Sequence, residues 1–263
     1  MRTSVCFVLF ALITNACLAQ SRIRVERNDQ GSAISASFTG KSNLDRLELT
    51  PRTLDAIAQL TELQSVSLWG TNVSDSEISR LLPLKNLSSI DLSYTNVSGD
   101  VLTTLSKIPE LAEINLEGCD VDDKHLEQLT GFERLITLRL AKTHVTDEGL
   151  RHIEKLKNLI HLDLSACEIS DEGLRSLGHM PNIRHLWLSK TIRYGQDDRS
   201  DLTDGCVDFL TSLTTLIDLQ IASSQISDEG VKRLKIALPD ARISTEPNGV
   251  VYLDQKKPDR TKR

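Results

Sequence analysis

The sequence lacks an excess of basic residues, because 31 lysines and arginines stand against 37 aspartates and glutamates and leave a formal net charge of −6. Phosphate binding usually needs a basic surface, so this balance argues against a nucleic-acid partner. The chain also lacks a glycine-rich phosphate loop, a metalloprotease helix pair, a CxxC pair and a nucleophile elbow. We therefore predict no catalytic residue, no cofactor and no resident metal.

Long apolar runs are scarce as well, and the clearest one extends from Val5 to Ile13 near the N-terminus. It is shorter than the roughly 20 residues that a membrane-spanning helix requires. Small residues ending at Ala19 follow it, which predicts a secretory signal peptide over residues 1–19 and a secreted or periplasmic, cell-envelope location. A membrane anchor and a lipoprotein signal with Cys17 lipidated are the alternatives.

Cysteines are few, and two of the five, Cys6 and Cys17, lie in the predicted signal peptide. The remaining three are Cys119, Cys167 and Cys206. An odd number this small does not describe a disulfide framework.

The chain does contain a repeat of 24 residues, with units starting at Leu63, Leu87, Leu111, Leu135 and Leu159. A unit with nine extra residues begins at Ile183 and a last one at Leu216. Apolar residues at the first, fourth and sixth places of each unit are typical of a strand with one buried face. Apolar residues spaced by three follow and are typical of a helix. Each unit is therefore predicted to form one strand, one turn and one helix.

The phrase ISDEG at residues 169–173 returns in closely similar form in other units. It predicts a helix start in which the Ser170 hydroxyl caps the helix and Asp171 and Glu172 place negative charge in the first turn. Gly173 is expected to let neighbouring coils approach closely. Metal or catalytic chemistry is the alternative for the paired carboxylates Asp147 with Glu148, Asp171 with Glu172 and Asp228 with Glu229.

The pattern LxxLxLxx(N/C/T)x(V/I) resembles the leucine-rich repeat family over about residues 33–245. The version T-x-(V/I)-(T/S)-D-x-G-L looks like the exported repeats of planctomycete bacteria, and it is similar to the cysteine-containing repeats of F-box ubiquitin ligase adaptors. The resemblance implies an α/β leucine-rich repeat solenoid of about eight coils. In that fold a right-handed parallel β-sheet forms the concave side and helices form the convex side.

The ninth place of each unit, where that family commonly has Asn or Cys, holds a small polar residue: Thr71, Thr95, Cys119, Thr143, Cys167, Thr191 and Ser224. These side chains are expected to form an inward ladder that bonds the backbone of adjacent turns. Cys119 and Cys167 are then structural thiols roughly 10 Å apart, too far for a disulfide. Cys206 falls on a predicted helix and has no assigned role.

The predicted divisions are a signal peptide at 1–19, an N-terminal cap and irregular first coil at 20–62, a solenoid at 63–246 and a disordered basic tail at 247–263. An Asp-Gln-Gly turn between two alternating segments predicts a hairpin cap. The first coil is expected to draw its strand from Leu44, Leu47 and Leu49. The insertion at 192–200 carries Tyr194 and Arg199 and is either part of a binding face or a tolerated surface loop.

The strand residues that do not point inward are predicted to form a partner-binding surface, comprising Trp69, Asp91, Tyr94, Glu113, Glu117, Arg139, Lys142, His161, Asp163, His185, Trp187 and Lys190. Both tryptophans of a chain with 4% aromatic residues lie on it, and exposed tryptophan is costly unless it binds something. Packing of these rings on neighbouring side chains is the alternative.

Three functions remain open at this stage. The first is a non-enzymatic scaffold that binds a protein or peptide on the concave sheet, and the second is a self-associating structural protein of the envelope. The third is a metal-dependent hydrolase at His161, His185 and Asp163, since two imidazoles and a carboxylate can bind a transition metal.

Overall fold

The structure is a computed structural model that describes residues 22–39, 48–178, 180–189 and 202–245. The predicted signal peptide and basic tail lie outside these residues, as do Lys190, Thr191, Tyr194 and Arg199. Ten strands form one sheet in chain order. They are β1 (Arg22–Arg27), β2 (Ala33–Thr39), β3 (Ser65–Ser67), β4 (Ser89–Asp91), β5 (Glu113–Asn115), β6 (Thr137–Arg139), β7 (His161–Asp163), β8 (His185–Trp187), β9 (Asp218–Gln220) and β10 (Arg242–Ser244).

A helical segment follows each strand from β2 to β9. The α-helices are α1 (Pro51–Ala58), α2 (Asp75–Ile78), α3 (Val101–Leu105), α4 (Asp147–Ile153), α5 (Asp171–Leu177), α6 (Val207–Ser212) and α7 (Asp228–Ala237). The 3-10 helices are Ser79–Leu81, Asp123–Gly131 and Asp204–Cys206. Eight strand-and-helix coils result, numbered here from coil 1 (β2 and α1) to coil 8 (β9 and α7), with coil 2 beginning at Leu63.

The N-terminal cap is a hairpin, as its turn signal predicts, because β1 and β2 pair antiparallel. The remaining pairs of the sheet are parallel. The predicted source of the coil 1 strand is wrong, since β2 itself pairs with β3 through Ser35 and Ser65 and leaves no room between them. Leu49 is buried, whereas Leu44 and Leu47 lie outside the described residues.

The parallel pairs advance by one repeat at each step, so Leu138 pairs with Leu162, and Leu162 pairs with Leu186. Residues at matching places therefore form rows across the sheet. The sixth-place leucines lie inside the stack, as the period predicts, and Leu92, Leu116 and Leu140 are each 0% exposed.

Six strands, β3 to β7 and β9, are followed by a left-handed residue at the eighth place of the repeat unit. Gly70, Tyr94, Gly118, Lys142, Ala166 and Ser223 have φ between 56° and 67°. The backbone N–H of Tyr94 donates to Glu117 O at 2.8 Å in the next coil, and Lys142 donates in the same way to Ser165 O. The left-handed turn thus extends the interstrand hydrogen bonding past the end of the strand, and this offsets the strain of a side chain at positive φ.

The ninth-place ladder is present in coils 2 to 6 and takes two forms, whereas Ser224 of coil 8 is half-exposed and does not continue it. Thr95 Oγ1 donates to Leu92 O of its own coil at 2.6 Å, whereas Cys119 Sγ donates to that same carbonyl oxygen from the next coil at 3.1 Å. Cys167 likewise reaches Leu140 O at 3.0 Å. Cys119, Cys167 and Cys206 are all free and buried, and burial raises the pKa of the Cys167 thiol to about 11.

The helix starts connect neighbouring coils. The twelfth-place N–H and hydroxyl of one coil both donate to the thirteenth-place aspartate of the coil before it. Ser170, for example, reaches Asp147 Oδ1 through its N–H at 2.8 Å and Asp147 Oδ2 through its hydroxyl at 2.5 Å. We call this arrangement an aspartate latch. The latches are Asp75 with Ser98, Asp123 with Thr146, Asp147 with Ser170, Asp171 with Thr203 and Asp204 with Ser227.

The latch corrects the predicted role of Ser170 and explains the glycine of the repeated phrase. Ser170 is the N-cap residue of α5, but its side chain makes no capping hydrogen bond. A Cβ built on Gly173 would lie 2.0 Å from Asp147 Oδ1, so any larger residue there would collide with the latch carboxylate. Gly149 and Gly230 face Asp123 and Asp204 in the same way.

No helix in the described ranges is long and apolar enough to cross a membrane.

Candidate functional site

The candidate site is the open face of the sheet, which we call the sheet face. It consists of the residues at the third and fifth places of each repeat unit, which lie in the strand, and at the seventh and eighth places, which lie in the turn that follows. The strands alternate between half-exposed and buried residues, as in Thr137, Leu138 and Arg139. Residues on opposite sides of the central buried position therefore share the sheet face.

Eleven of the twelve predicted partner-binding residues are described, and all eleven lie in these rows. Trp69, Tyr94 and Trp187 are each half-buried, which leaves part of every ring available to a partner. Glu113 is exposed, and no hydrogen bond or ion pair of its side chain is present among the described residues.

Several charged residues of the sheet face are paired across coils. Lys142 forms an ion pair with Glu117 at 2.8 Å, and the Tyr94 hydroxyl donates to the same carboxylate at 2.5 Å. The Lys142 ammonium also lies 5.1 Å from the centre of the Tyr94 ring. These three residues span coils 3, 4 and 5, and the Glu117 carboxylate raises the pKa of Lys142 against the effect of its burial.

The Asp91 carboxylate accepts hydrogen bonds from two serines. Ser67 donates to its carboxylate at 3.1 Å from the preceding coil, while the Ser93 N–H donates to it at 3.0 Å. Asp91 is therefore fixed in orientation without a cationic partner among the residues that the structure describes.

A second paired group lies at the C-terminal end of the sheet face and was not predicted. Asp218 is 9% exposed and accepts two bonds from Arg242, from Nε at 3.2 Å and from the terminal guanidinium at 3.1 Å. The Trp187 indole N–H also points to Asp218, at 3.4 Å. Asp218 is at the third place of coil 8, and Arg242 is its register partner in β10. Because His185 pairs with Asp218 in the same row, the order of third-place residues could have indicated this ion pair from the sequence.

Arg139 is the exception among the cationic side chains of the sheet face. Its guanidinium carbon lies 5.6 Å from the centre of the Trp187 ring, two strands away. Its Nε is buried and has no hydrogen-bond partner in the described part of the chain. Asp163 is its register neighbour, but one of the Asp163 carboxylate oxygens accepts the Ser165 N–H at 2.9 Å.

The imidazole rings of His161 and His185, on the neighbouring strands β7 and β8, are stacked. Their ring centres are 4.3 Å apart and the ring planes differ by 15°. Burial, His185 and Arg139 together lower the pKa of His161 to about 4, and burial also lowers the pKa of His185. Both shifts favour the neutral form of the imidazole at pH 7.

The stacked geometry does not suit the metal site that the alternative hydrolase function would require. A metal ion lies in the plane of each imidazole that binds it, and two nearly parallel rings one above the other do not direct their nitrogens to one point. Within the described ranges no group of three histidine, cysteine, aspartate or glutamate residues has metal-binding geometry. His161, His185 and Asp163 share a face as predicted, but they do not converge.

A single sheet with one helical segment per coil, inward leucines and a ladder of small polar groups defines a leucine-rich repeat solenoid. Two of the coils match the leucine-rich repeat family model, over residues 155–178 and 212–235. The chain thus carries leucine-rich repeats, as the sequence pattern predicts.

Two solved structures show the same fold. An internalin from Listeria monocytogenes has 21% identity and a TM-score of 0.53 over 74% of this chain and 51% of its own. The Arabidopsis receptor kinase HAESA, solved with the peptide hormone IDA and the co-receptor SERK1, has 17% identity and a TM-score of 0.57 over 84% of this chain and 35% of its own. This chain therefore spans about half of the internalin and about a third of the receptor kinase. No curated protein matches it significantly.

Proposed function

We propose that this chain is an exported leucine-rich repeat protein that binds a protein or peptide through the sheet face. The observation that carries the proposal is the placement of Trp69, Tyr94 and Trp187, each half-buried, on one face of a sheet whose other face is fully packed. Partly exposed aromatic rings with polar edges are the side chains that most often anchor protein interfaces.

The location follows from the predicted signal peptide at 1–19, which we propose directs the chain to the periplasm, the cell envelope or the medium. Three buried thiols agree with a chain whose stability does not depend on disulfides. The planctomycete-like and cysteine-containing character of the repeats remains a prediction from the sequence pattern.

Pairing within the sheet face supports a rigid rather than an adaptable surface. The Lys142–Glu117–Tyr94 group and the Arg242–Asp218–Trp187 group hold their side chains across neighbouring coils before any partner arrives. A partner then gains affinity because fewer side chains lose freedom on binding. The likeness to HAESA, a protein solved with a peptide hormone, agrees with this kind of ligand without identifying it.

The test is capture of exported proteins of the source organism by immobilised residues 20–263, followed by affinity measurement with the captured partner. Trp69→Ala and Trp187→Ala should each weaken binding about tenfold or more, the loss expected for an aromatic anchor. Ile236→Ala is the matched control, since Ile236 is 79% exposed on α7, away from the sheet face. Unchanged affinity in both tryptophan variants, with unchanged thermal unfolding, would place the binding surface elsewhere.

Self-association is the second candidate, and a specific apolar feature favours it. Ile136 and Ile217 are 38% and 44% exposed at the second place of their coils, beside the starts of the strands. Ile136 also lines an open groove of about 470 Å³ with Ala112 and Ile160. If the chain self-associates through this groove, light scattering should show an oligomer, and Ile136→Asp should convert it to a monomer. A wild-type monomer would remove this candidate.

A further inference from the structure

Among the described residues, the rows of the sheet face from β3 to β10 carry three permanently charged cations, and two of them have carboxylate partners. Glu117 holds Lys142, and Asp218 holds Arg242 through two bonds. For Arg139 no ion pair and no hydrogen bond of the guanidinium is described anywhere in the ranges that the structure covers. Of these three cations, Arg139 is therefore the one without a carboxylate partner in the described part of the chain.

The surroundings of Arg139 make an unpaired charge costly. Its Nε is buried without an acceptor, so a hydrogen bond to water has been lost and not replaced. The Trp187 ring lies 5.6 Å from the guanidinium carbon and supports the cation by its π-electrons, but a ring does not accept the in-plane N–H groups. The half-buried position of Arg139 strengthens any bond that an incoming carboxylate makes with it.

The neighbouring rows add hydrogen-bond donors without competing charge. His161 and His185 lie on the third-place row, next to the fifth-place row of Arg139, and their ring centres are 4.3 Å apart. Burial lowers the pKa of both histidines, which favours the neutral imidazoles at pH 7, and their ring N–H groups have no acceptor among the described residues.

We propose that Arg139 recognises an acidic side chain, aspartate or glutamate, of the protein or peptide that binds the sheet face. The proposal rests on the sheet face being the binding surface. The planar guanidinium fork matches a carboxylate at two points, which a lysine ammonium does not. Trp187 orients the fork, and the histidine pair lies at its edge.

Asp163 is the competing acceptor within the chain. It is the register neighbour of Arg139, yet its carboxylate is oriented by the Ser165 N–H, and burial raises its pKa. Should Arg139 bind Asp163 in solution, the site would be closed, and acidic ligands would gain nothing from the arginine. The experiment separates these two states.

The experiment is selection of displayed random peptides on the immobilised chain at pH 7, followed by affinity measurement with the best synthetic peptide. We expect an aspartate or glutamate at one fixed position of the selected peptides. Its replacement by asparagine or glutamine should weaken binding to the wild-type chain about tenfold and have no effect on binding to Arg139→Gln. Arg139→Lys should recover only part of the affinity.

Two further variants serve as controls. Arg184→Gln removes the same charge from an exposed place beside the sheet face and should retain the preference for acidic peptides. Glu113→Gln removes the exposed and unpaired acid of the sheet face and should strengthen binding of acidic peptides slightly.

The outcomes are distinct. Peptides that bind without a fixed acidic residue, or whose acidic residue matters equally in Arg139→Gln, overturn the role of Arg139 and leave peptide binding in place. Selection of no peptide above the blank support overturns both proposals. Folding of each variant is checked by its far-UV circular dichroism and melting temperature.

Discussion

Neighbouring coils are joined at their helix starts in two different ways. The junction between coils 3 and 4 differs from the junctions that follow it. After coil 4 each junction has an aspartate latch, for example Asp147 with Ser170. Between coils 3 and 4 the thirteenth place is Gly99 and the twelfth place of the next coil is Asp122, so neither half of a latch is present. The His125 side chain occupies the space of the latch instead. A Cβ built on Gly99 would lie only 2.3 Å from it.

This exception is less completely bonded than the latches. His125 Nδ1 accepts the Asp122 N–H at 3.1 Å. The Asp122 Oδ1 atom, 2.6 Å from the same nitrogen, stays buried without a hydrogen bond. The helical segment that follows, Asp123–Gly131, is entirely 3-10 in geometry, whereas coils 5 and 6 have α-helices. Gly99, Asp122 and His125 thus depart together from the latched pattern. They keep coils 3 and 4 stacked, but they leave one buried oxygen of this junction without a hydrogen bond.

The largest effect is expected for Gly173→Ala. Alanine in a helix is intrinsically favoured over glycine by about 1 kcal/mol. Here the new methyl group would lie 2.0 Å from Asp147 Oδ1, and we expect a loss of about 2–3 kcal/mol from such overpacking. Urea unfolding measures the loss, and the double variant with Asp147→Ala should recover part of it. A stabilised Gly173→Ala protein would show that the glycine serves no close approach.

The next effect separates a latched junction from the exception. Asp147→Ala removes the acceptor of two hydrogen bonds from Ser170 and should cost about 1–2 kcal/mol of unfolding free energy. Asp100→Ala is the control, since Asp100 has a side chain 82% exposed at the junction without a latch and should change stability by less than about 0.5 kcal/mol. Equal losses in the two variants would remove the distinction.

A graft of the latch into the exceptional junction should stabilise the chain. The triple variant Gly99→Asp, Asp122→Ser and His125→Gly reproduces the latched sequence pattern and should raise stability by about 1 kcal/mol. Gly99→Asp alone should destabilise, because His125 fills the space that the new carboxylate needs. A graft less stable than the wild-type chain would mean that the His125 arrangement is the better one.

The smallest effect is an acid response of one latch. Hydrogen bonds from Ser227 lower the pKa of Asp204. The folded chain then binds this proton less readily than the unfolded chain does, so the contribution of the latch is complete above the ordinary aspartate pKa of about 3.9. That contribution is lost as the pH falls through the lower value of the folded chain. Hydrogen exchange at the Ser227 amide should accelerate, relative to its intrinsic rate, in that range, and Asp204→Asn should abolish the pH dependence.

The repeat length was enough to predict which residues share a row, because parallel strands in register repeat the sequence pattern in space. Leu92, Leu116 and Leu140 are buried for that reason, and Trp69 and Trp187 share the sheet face. The helix start at Ser170 was located correctly, but its partner was not. A hydroxyl at a helix start can accept a backbone N–H of its own helix or donate to an acceptor in a neighbouring coil. The local sequence does not show that the preceding coil supplies a carboxylate for the second arrangement.

The candidate site shows the same limit. The sequence predicted that Tyr94, Glu117 and Lys142 lie on one face, but not that they bond across three coils, because long side chains choose among several rotamers. Arg139 was one of several basic residues in the sequence. The sequence does not show which of these basic residues has a carboxylate partner. The structure shows that Lys142 and Arg242 are paired and that the Nε of Arg139 is not.

The distribution of latches decides how the solenoid can change its length. A coil that has a twelfth-place serine or threonine and a thirteenth-place aspartate can be duplicated or deleted alone, since its neighbours meet the same chemistry afterwards. Coils 3 and 4 lack this freedom separately but have it together, because Ser98 opens the pair and Asp123 closes it. Removing residues 87–134 as one block would bring Asp75 to Thr146 and leave a shorter array with every remaining joint intact.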